Sequence, residues 1–524
     1  MAEVSAAPVN GSGTAANSTT EVFAVFGAEP EVLAYAMAKY SRSSLSMKES
    51  LKEISQQKAE KFLNTFYFQY GHRSIADLAH IALAIEKLSI LAAIVVADEQ
   101  RWDGQERSTR YQDFRKSGYY TPDFRTDSQG RELYGKTIAN LFSAYESISE
   151  TTFRYLVDIT PKPADMKQEA YDRTLRARAF DIARYLLPLA TNTSLGEIVN
   201  ARTLETQVSH LLSHTHAEVR SLGELLKKAA LSASYNVNYE SLRKLVDEIH
   251  AVSPELGARA EAELLRDVRV APTLVKYADP NPYEMETRRE LRQVAAGLMG
   301  QAAPDASPAV DLLDGEPVKI ELATTLLYEH SAYPYRQIRT AVESLSEARR
   351  QEIIDAGLRH RGRHDEMLRA FRAGQQFRFD ILMDIGGFRD MHRHRRCIQI
   401  EQEFTTQHGY DVPEELHAAG ALDTYTQVME DTAAAVQTLA TSNAPESAEN
   451  SQYAIPLGFR KRTLFKMDFA EAVYISELRS GPAGHFSYRN VAYAMYEEVK
   501  KKHPALAQYF RVHDVRQPVD LLKR

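Results

Sequence analysis

Apolar residues recur along most of this chain at steps of three and four. Between 133 and 156 they are Leu133, Leu141, Phe142, Tyr145, Ile148, Phe153 and Leu156, which predicts one long amphipathic helix with a single buried stripe. Runs that read as strands are few: EVFAVFG near 21–27, parts of 81–97, and FRFDILMDI at 377–385. This balance predicts an α+β protein with more helix than strand. The longest apolar run, LSILAAIVVA at 88–97, falls well short of the roughly 18–20 residues of a membrane span. It predicts a buried element and no membrane partner.

The periodicity breaks at 296–318, AGLMGQAAPDASPAVDLLDGEPV, where Ala, Gly, Pro and Asp accumulate as they do in a linker. On either side of it two stretches align. ARYLLPLATNTSLGEIVNARTL carries Tyr185, Pro188, Leu189 and Asn200, and SQYAIPLGFRKRTLFKMDFAEA carries Tyr453, Pro456, Leu457 and Asp468, in the same order and at the same spacing. A diverged tandem duplication accounts for that pattern; chance similarity between helical segments is the alternative. The small, polar start of the chain reads as a disordered tail rather than a signal peptide. The expected organisation is a tail at 1–20, a first repeat at 21–250, a connecting helix and linker at 251–314, and a second repeat at 315–524.

Composition narrows the chemistry. With 524 residues, 44% hydrophobic content and a net charge of −7, the chain is a packed globular protein without a global basic field, which argues against nucleic acid as a partner. The single cysteine excludes a disulfide framework and any multi-cysteine zinc site, and fits a reducing cytoplasmic location. Against that background DMHRHRRCIQIEQEF at 390–404 stands out, with His392, Arg393, His394, Arg395 and Arg396 in succession and Cys397 behind them. Such a run can be a solvated, ion-paired face, and Asp390, Glu401 and Glu403 lie close enough in sequence for that. It can equally clamp a phosphorylated ligand, because guanidinium groups offer planar bidentate donors to phosphate oxygens. Cys397 reads as a packed thiol, although neighbouring arginines could lower its pKa. HLLSHTH offers His210, His214 and His216, with the first pair one helical turn apart, but no further ligand is signposted and no metal site is expected.

Several segments together resemble flavin-dependent thymidylate synthase, over about 22–245 and 315–515. The first half carries GHRSIAD (His72, Ser74, Asp77, with Asp in place of a usual Glu), QERSTRYQDF (Glu106, Ser108, Arg110, Tyr111), Arg184 before Leu-Leu-Pro, and Asn200 with Arg202. Where the family has R-H-R it reads ADEQRW, and its late Leu-Arg is replaced by SHLLSHTH. The second half supplies the F-x-F strand running to Arg389, then Arg393, His394 and Arg395, and Leu478 with Arg479 in SELRS. It has Gln452 at the place of Arg184, Asp468 and Ala470 at the places of Asn200 and Arg202, and Glu403 and Thr405 at the places of Ser108 and Arg110. Nearly every element therefore occurs once, split between the halves.

The resemblance implies two diverged repeats of a fold with an antiparallel sheet and long helices, forming composite sites in a homodimer that imitates the family's tetramer. It implies reductive methylation of dUMP, with FAD as cofactor and NADPH and methylenetetrahydrofolate as co-substrates. By position, Glu106, Ser108, Arg110, Arg184, Arg393 and Arg479 would hold dUMP, with Arg479 and Ser108 as the catalytic residues, Ser108 cradling the phosphate and Arg479 stabilising negative charge on the pyrimidine. His72, Ser74, Asp77, Asn200, Arg202, Arg393, His394 and Arg395 would hold FAD, with Ser41 a weaker candidate. Each residue also has an ordinary structural reading. Ser108 could cap a turn, Arg184 could pair with Asp181 or Glu197, and His72 and Ser74 could cap a helix running into IADLAHIALAI. Asp390 replaces a family glutamine that helps bind dUMP. A flavin- or nucleotide-binding descendant without activity, or a scaffold, is the other reading.

Overall fold

The computed structural model describes residues 27–39, 47–53, 73–282, 308–313, 317–329, 335–359 and 377–522, with a few isolated positions between them. The expected tail, most of the expected strand near 21–27, Ser41, His72 and most of the linker at 296–318 lie outside the described residues. Among the described residues no helix is long and apolar enough to cross a membrane.

The two halves repeat one plan. In the first, strand β1 (His80–Ser89) runs into the helix Ile90–Ala97, strand β2 (Trp102–Glu106) follows, and long helices lead to strand β3 (Asn192–Asn200) and the helices Ala201–Leu212 and Ala217–Leu231. In the second, β4 (Val310–Leu312) precedes β5 (Phe377–Asp384), the helix Ile385–Met391, β6 (Ile398–Glu401), the helix Leu422–Ala440, β7 (Arg460–Met467) and the helices Phe469–Arg479 and Phe486–Lys502. The sheets are antiparallel, ordered β1-β3-β2 and β4-β5-β7-β6, so β5-β7-β6 reproduces the first sheet.

Local sequence explains the elements. The expected stripe falls on the helix Ser128–Ile159, where Leu141, Tyr145, Ile148 and Leu156 are buried and Asp127 caps the first turn. β5 alternates as its sequence predicts, with Phe377, Phe379, Ile381 and Met383 inward. The run at 81–97 divides. It pairs as a strand to Ser89, whose hydroxyl then accepts the Ala92 N–H and starts a helix. A bulge at Lys87, with φ of 61°, resets the alternation so that Leu88 faces inward. IADLAHIALAI does not continue as a helix: Arg73–Leu78 is a 3₁₀ turn, and the chain then enters β1.

The halves pack about a pseudo-twofold point at Pro188 and Pro456, which face each other in an antiparallel bridge. Leu189 N–H donates to Ile455 O and Leu457 N–H to Leu187 O, and Ala190 N–H to Tyr453 O and Gly458 N–H to Tyr185 O. Each pair is the other with its halves exchanged. The Tyr185 ring meets His485 and the Tyr453 ring meets His216, again in reciprocal fashion. One hydrophobic core runs continuously through both halves, so neither half buries its apolar face without the other.

Candidate functional site

β2 ends at Glu106, and the turn that follows is pinned to β3 by the Arg107 N–H donating to Ser194 O. This turn carries Ser108, whose hydroxyl accepts the Arg110 N–H at 3.2 Å, so it does cap a turn. Opposite it stands the helix Ile385–Met391 of the second half, capped by Asp384. Between them is a cleft of about 40 Å³ lined by Glu106, Ser108, Arg110, Arg184, Arg389 and Arg393 among others. The split motifs thus meet within one chain.

The cleft's cations are held individually. Arg110 donates to Asp181 at 2.8 Å and to the Tyr488 hydroxyl at 2.7 Å; burial opposes its charge, and the Asp181 carboxylate more than offsets that. Arg389 pairs with Glu106. Arg393 is exposed and donates to Gln105 at 3.3 Å. Arg184 differs from the rest. It is only 2% exposed, its nearest carboxylate, Asp390, is 3.6 Å away, and its Nε and Nη2 have no hydrogen-bond partner. The alternative pairing with Asp181 or Glu197 is not made: Asp181 accepts from Arg110, and Glu197 Oε2 accepts from Gln207. Arg389 Nε is likewise unpartnered. Buried, incompletely paired guanidinium groups are costly, and an anion in the cleft would satisfy them.

Arg479 closes the same region. Its Nε donates to His394 Nε2 at 2.8 Å, and its guanidinium and that of Arg110 each lie over the Tyr488 ring, at 5.5 and 5.6 Å. His394 is buried, with Nδ1 facing Glu471 at 3.7 Å. Burial holds its pKa below the ordinary value, against the pull of Glu471 and with the help of Arg479, which suits a neutral imidazole accepting from a cation. Tyr488 carries no signal in the sequence, because its partners lie in distant segments.

The remaining candidates gather elsewhere. Asn200 caps the helix Ala201–Leu212 by accepting the Thr203 N–H, Arg202 pairs with Asp77 at 3.1 Å, and Ser74 is exposed on the neighbouring 3₁₀ turn. Since Glu106 pairs opposite Leu195, this group lies about 17 Å along β3 from the cleft at about 3.3 Å per residue. The R-H-R stretch bridges the interval. Arg393 contacts Gln105, while Arg395 lies 4.9 Å over the ring of Trp102 and 3.4 Å from Asp103, beside the Asn200 end of the sheet. Arg396 faces Asp468 and Glu471, so the ion-paired reading holds for part of the cluster.

The cysteine and the histidine triplet are resolved by packing. Cys397 is buried, donates to His394 O, and burial with the Glu471 carboxylate pushes its thiol up to about 12; the adjacent arginines do not activate it. His210 and His214 do not share a helical face, because the helix ends at Leu212. His210 faces Glu284, and His214 stacks on His216.

The pseudo-twofold creates a second cleft, of about 810 Å³, from the exchanged elements. Gln402 N–H donates to Arg462 O just as Arg107 N–H donates to Ser194 O, which fixes the equivalence of the two turns. Glu401 then matches Glu106. The positions of Arg184, Arg389, Arg393 and Arg479 are held by Gln452, Ile94, Asp98 and Leu211, all of which line this cleft. The arginines of the first cleft are therefore absent from the second.

Comparison with known proteins gives a consistent result. The sequence matches the family described as thymidylate synthase complementing protein over residues 24–232 and again over 310–505. It is 29% identical to a UPF0159 protein of Chlamydia pneumoniae over 95% of this chain and 92% of that protein. It is 26% identical to a UPF0159 protein of Thermoplasma acidophilum over 91% of this chain and 94% of that protein. A flavin-dependent thymidylate synthase of Clostridium tetani is 26% identical over 37% of this chain and 74% of its own length.

Proposed function

The chain belongs to the thymidylate synthase complementing protein family, with one family domain in each half, and on that premise we propose that it is an FAD-dependent thymidylate synthase methylating dUMP. The observation that carries this reading is Arg184, a fully buried guanidinium with two unpartnered N–H donors in a cleft that also holds Ser108, Arg110, Arg389 and Arg393. That donor set suits the phosphate of a nucleotide. Arg393 and Arg395, running along β2 toward Asn200 and Arg202, suit the pyrophosphate and the remainder of an extended dinucleotide such as FAD.

When bound, reduced flavin supplies the hydride, so no protein nucleophile is required, in keeping with the buried Cys397. The chain's residues bind and orient. Arg184 and Arg110 neutralise the nucleotide phosphate, with Ser108 adding a hydroxyl. Arg479, directed by its hydrogen bond to neutral His394, places a fixed positive charge where the pyrimidine becomes negative. Methylenetetrahydrofolate and NADPH as co-substrates, a homodimer, and the repeat boundaries at 21–250 and 315–524 are part of this proposal.

A second reading has its own support. Glu106, Asp181 and Asp390 already face arginines of the cleft, which is small, as in a binding protein without turnover. The visible spectrum of the purified protein, an FAD titration, and a dTMP formation assay from dUMP separate the two. Flavin binding with dTMP formation is expected. Flavin and dUMP binding with no dTMP formed selects the non-catalytic reading, and binding of neither ligand removes both.

A further inference from the structure

His392, the first histidine of the arginine-rich stretch, takes no part in the arginine cleft. It is 3% exposed and lies against Ile94, Gln399 and Glu401, which line the second, charge-altered cleft. Its ring is fixed on both sides. Nε2 lies 3.3 Å from Ile94 O, and Nδ1 lies 3.0 Å from Gln399 Oε1 and 3.4 Å from Glu401 Oε1. Gln399 cannot offer a donor in place of that oxygen, because its amide nitrogen already donates to the carbonyls of His392 and His394. A neutral imidazole therefore has a mismatch whichever nitrogen carries its proton, with a lone pair facing an oxygen. A cation on the Nδ1 side removes it. With Nε2–H donating to Ile94 O, Nδ1 is left as a ligand, and a histidine bonding a backbone carbonyl through its other nitrogen is the usual arrangement at protein metal sites.

Two carboxylates complete the group. Ligand atoms of Asp98, His392 and Glu401 all lie within 4.8 Å of one another. Bonds of about 2.0–2.2 Å place donors roughly 3.3 Å apart around an ion, so the group must contract. Asp98 is exposed and can swing inward. Lys461 Nζ sits 3.0 Å from Glu401 Oε2 and donates to Gln402 O, which orients the carboxylate and leaves its other oxygen toward His392. The position of Asp98 corresponds to Arg393 in the arginine cleft, so duplication has placed an acid here where the other cleft has a base.

We propose that this second cleft is a divalent metal site, with Asp98, His392 and Glu401 as ligands. One imidazole with two carboxylates suits Zn²⁺ or Mn²⁺. The site uses one half for Asp98 and the other for His392 and Glu401, so an ion there would clasp the pseudo-twofold interface.

The test is titration calorimetry of the chelator-stripped full chain with Zn²⁺ and Mn²⁺. It compares wild type, Asp98→Asn, Glu401→Gln and His210→Gln, each checked for fold by circular dichroism. One ion per chain is expected, with affinity falling at least tenfold in both Asp98→Asn and Glu401→Gln and unchanged in His210→Gln. Asp98 is exposed, so its variant tests the site even where Glu401→Gln fails to fold. The proposal is overturned if no saturable binding occurs below about 100 μM, if binding survives in Asp98→Asn, or if it depends on His210 instead.

Discussion

Glu106 and Glu401 hold the same place in the two halves, yet Glu106 faces Arg389 of the opposite half while Glu401 faces Lys461 of its own. Around Glu106 the cleft is small and crowded with guanidinium groups; around Glu401 it is about twenty times larger and has Gln452, Ile94, Asp98 and Leu211 in their stead. The backbone hydrogen bonds that build both are equivalent. The duplicated scaffold thus keeps its shape through main-chain pairing and core packing, while the chemistry of each cleft varies independently. It also shows how one chain can keep a single complete arginine cleft from two incomplete motif sets.

The largest effect that would break this contrast is expected at Arg184. Arg184→Met should weaken dUMP binding by about 2–5 kcal/mol, the range for removing one partner of a desolvated charge pair. It should also leave thermal stability unchanged or raised, because an incompletely paired buried charge is lost. Gln452→Arg at the equivalent position should not alter dUMP affinity. Calorimetry with dUMP and thermal melts check both; an Arg184→Met protein that binds dUMP like wild type would remove the assignment of the arginine cleft to a nucleotide.

Next in size, Arg202→Ala and Arg395→Ala should each weaken FAD by about tenfold, as loss of one charge-assisted hydrogen bond does. Arg396→Ala, already paired with Asp468 and Glu471, should have little effect. Equal losses in all three variants would mean a diffuse electrostatic contribution rather than a path along β2.

A smaller contrast lies beneath the clefts. Buried Glu197 in β3 corresponds to Phe465 in β7, and burial pushes its carboxyl from the ordinary 4.5 up to about 7. The native state therefore binds this proton more tightly than the unfolded chain. Its contribution is full below about pH 4.5 and is lost as pH rises through about 7, a swing of about 3 kcal/mol. Glu197→Gln should gain stability relative to wild type as pH is raised from 5 to 8; a difference in melting temperature that stays flat over that range would contradict the assignment. Smallest of all, Cys397 should resist thiol reagents at pH 8 until the chain unfolds, although it follows three arginines in four residues. Rapid labelling of the folded protein would show that those charges govern it after all.

Much of the architecture was legible in the chain. The stripe of 133–156, the alternation of 377–383 and the matched spacing from Pro188 to Asn200 and Pro456 to Asp468 foretold a helix, a strand and a repeat, because each rests on contacts within a few residues. The division of motifs between halves was legible too. The partners were not. Of the ordinary pairings open to Arg184, neither Asp181 nor Glu197 is the one found, since it faces Asp390, and nothing in the chain signalled that His394 accepts from Arg479.

The residues alone mark a duplicated α+β chain of a recognisable family and the side chains it retains for chemistry. Only the folded chain brings Arg110, Asp181 and Tyr488 together across separations of 71 and 378 residues, and packs His392 against Ile94 and Glu401 of one cleft while its neighbour Arg393 lines the other. The physical reason is one of range. Periodicity and capping are set by neighbours three or four positions away, whereas the partner of a buried charge is chosen by the pseudo-twofold packing of two halves whose sequences do not encode it locally.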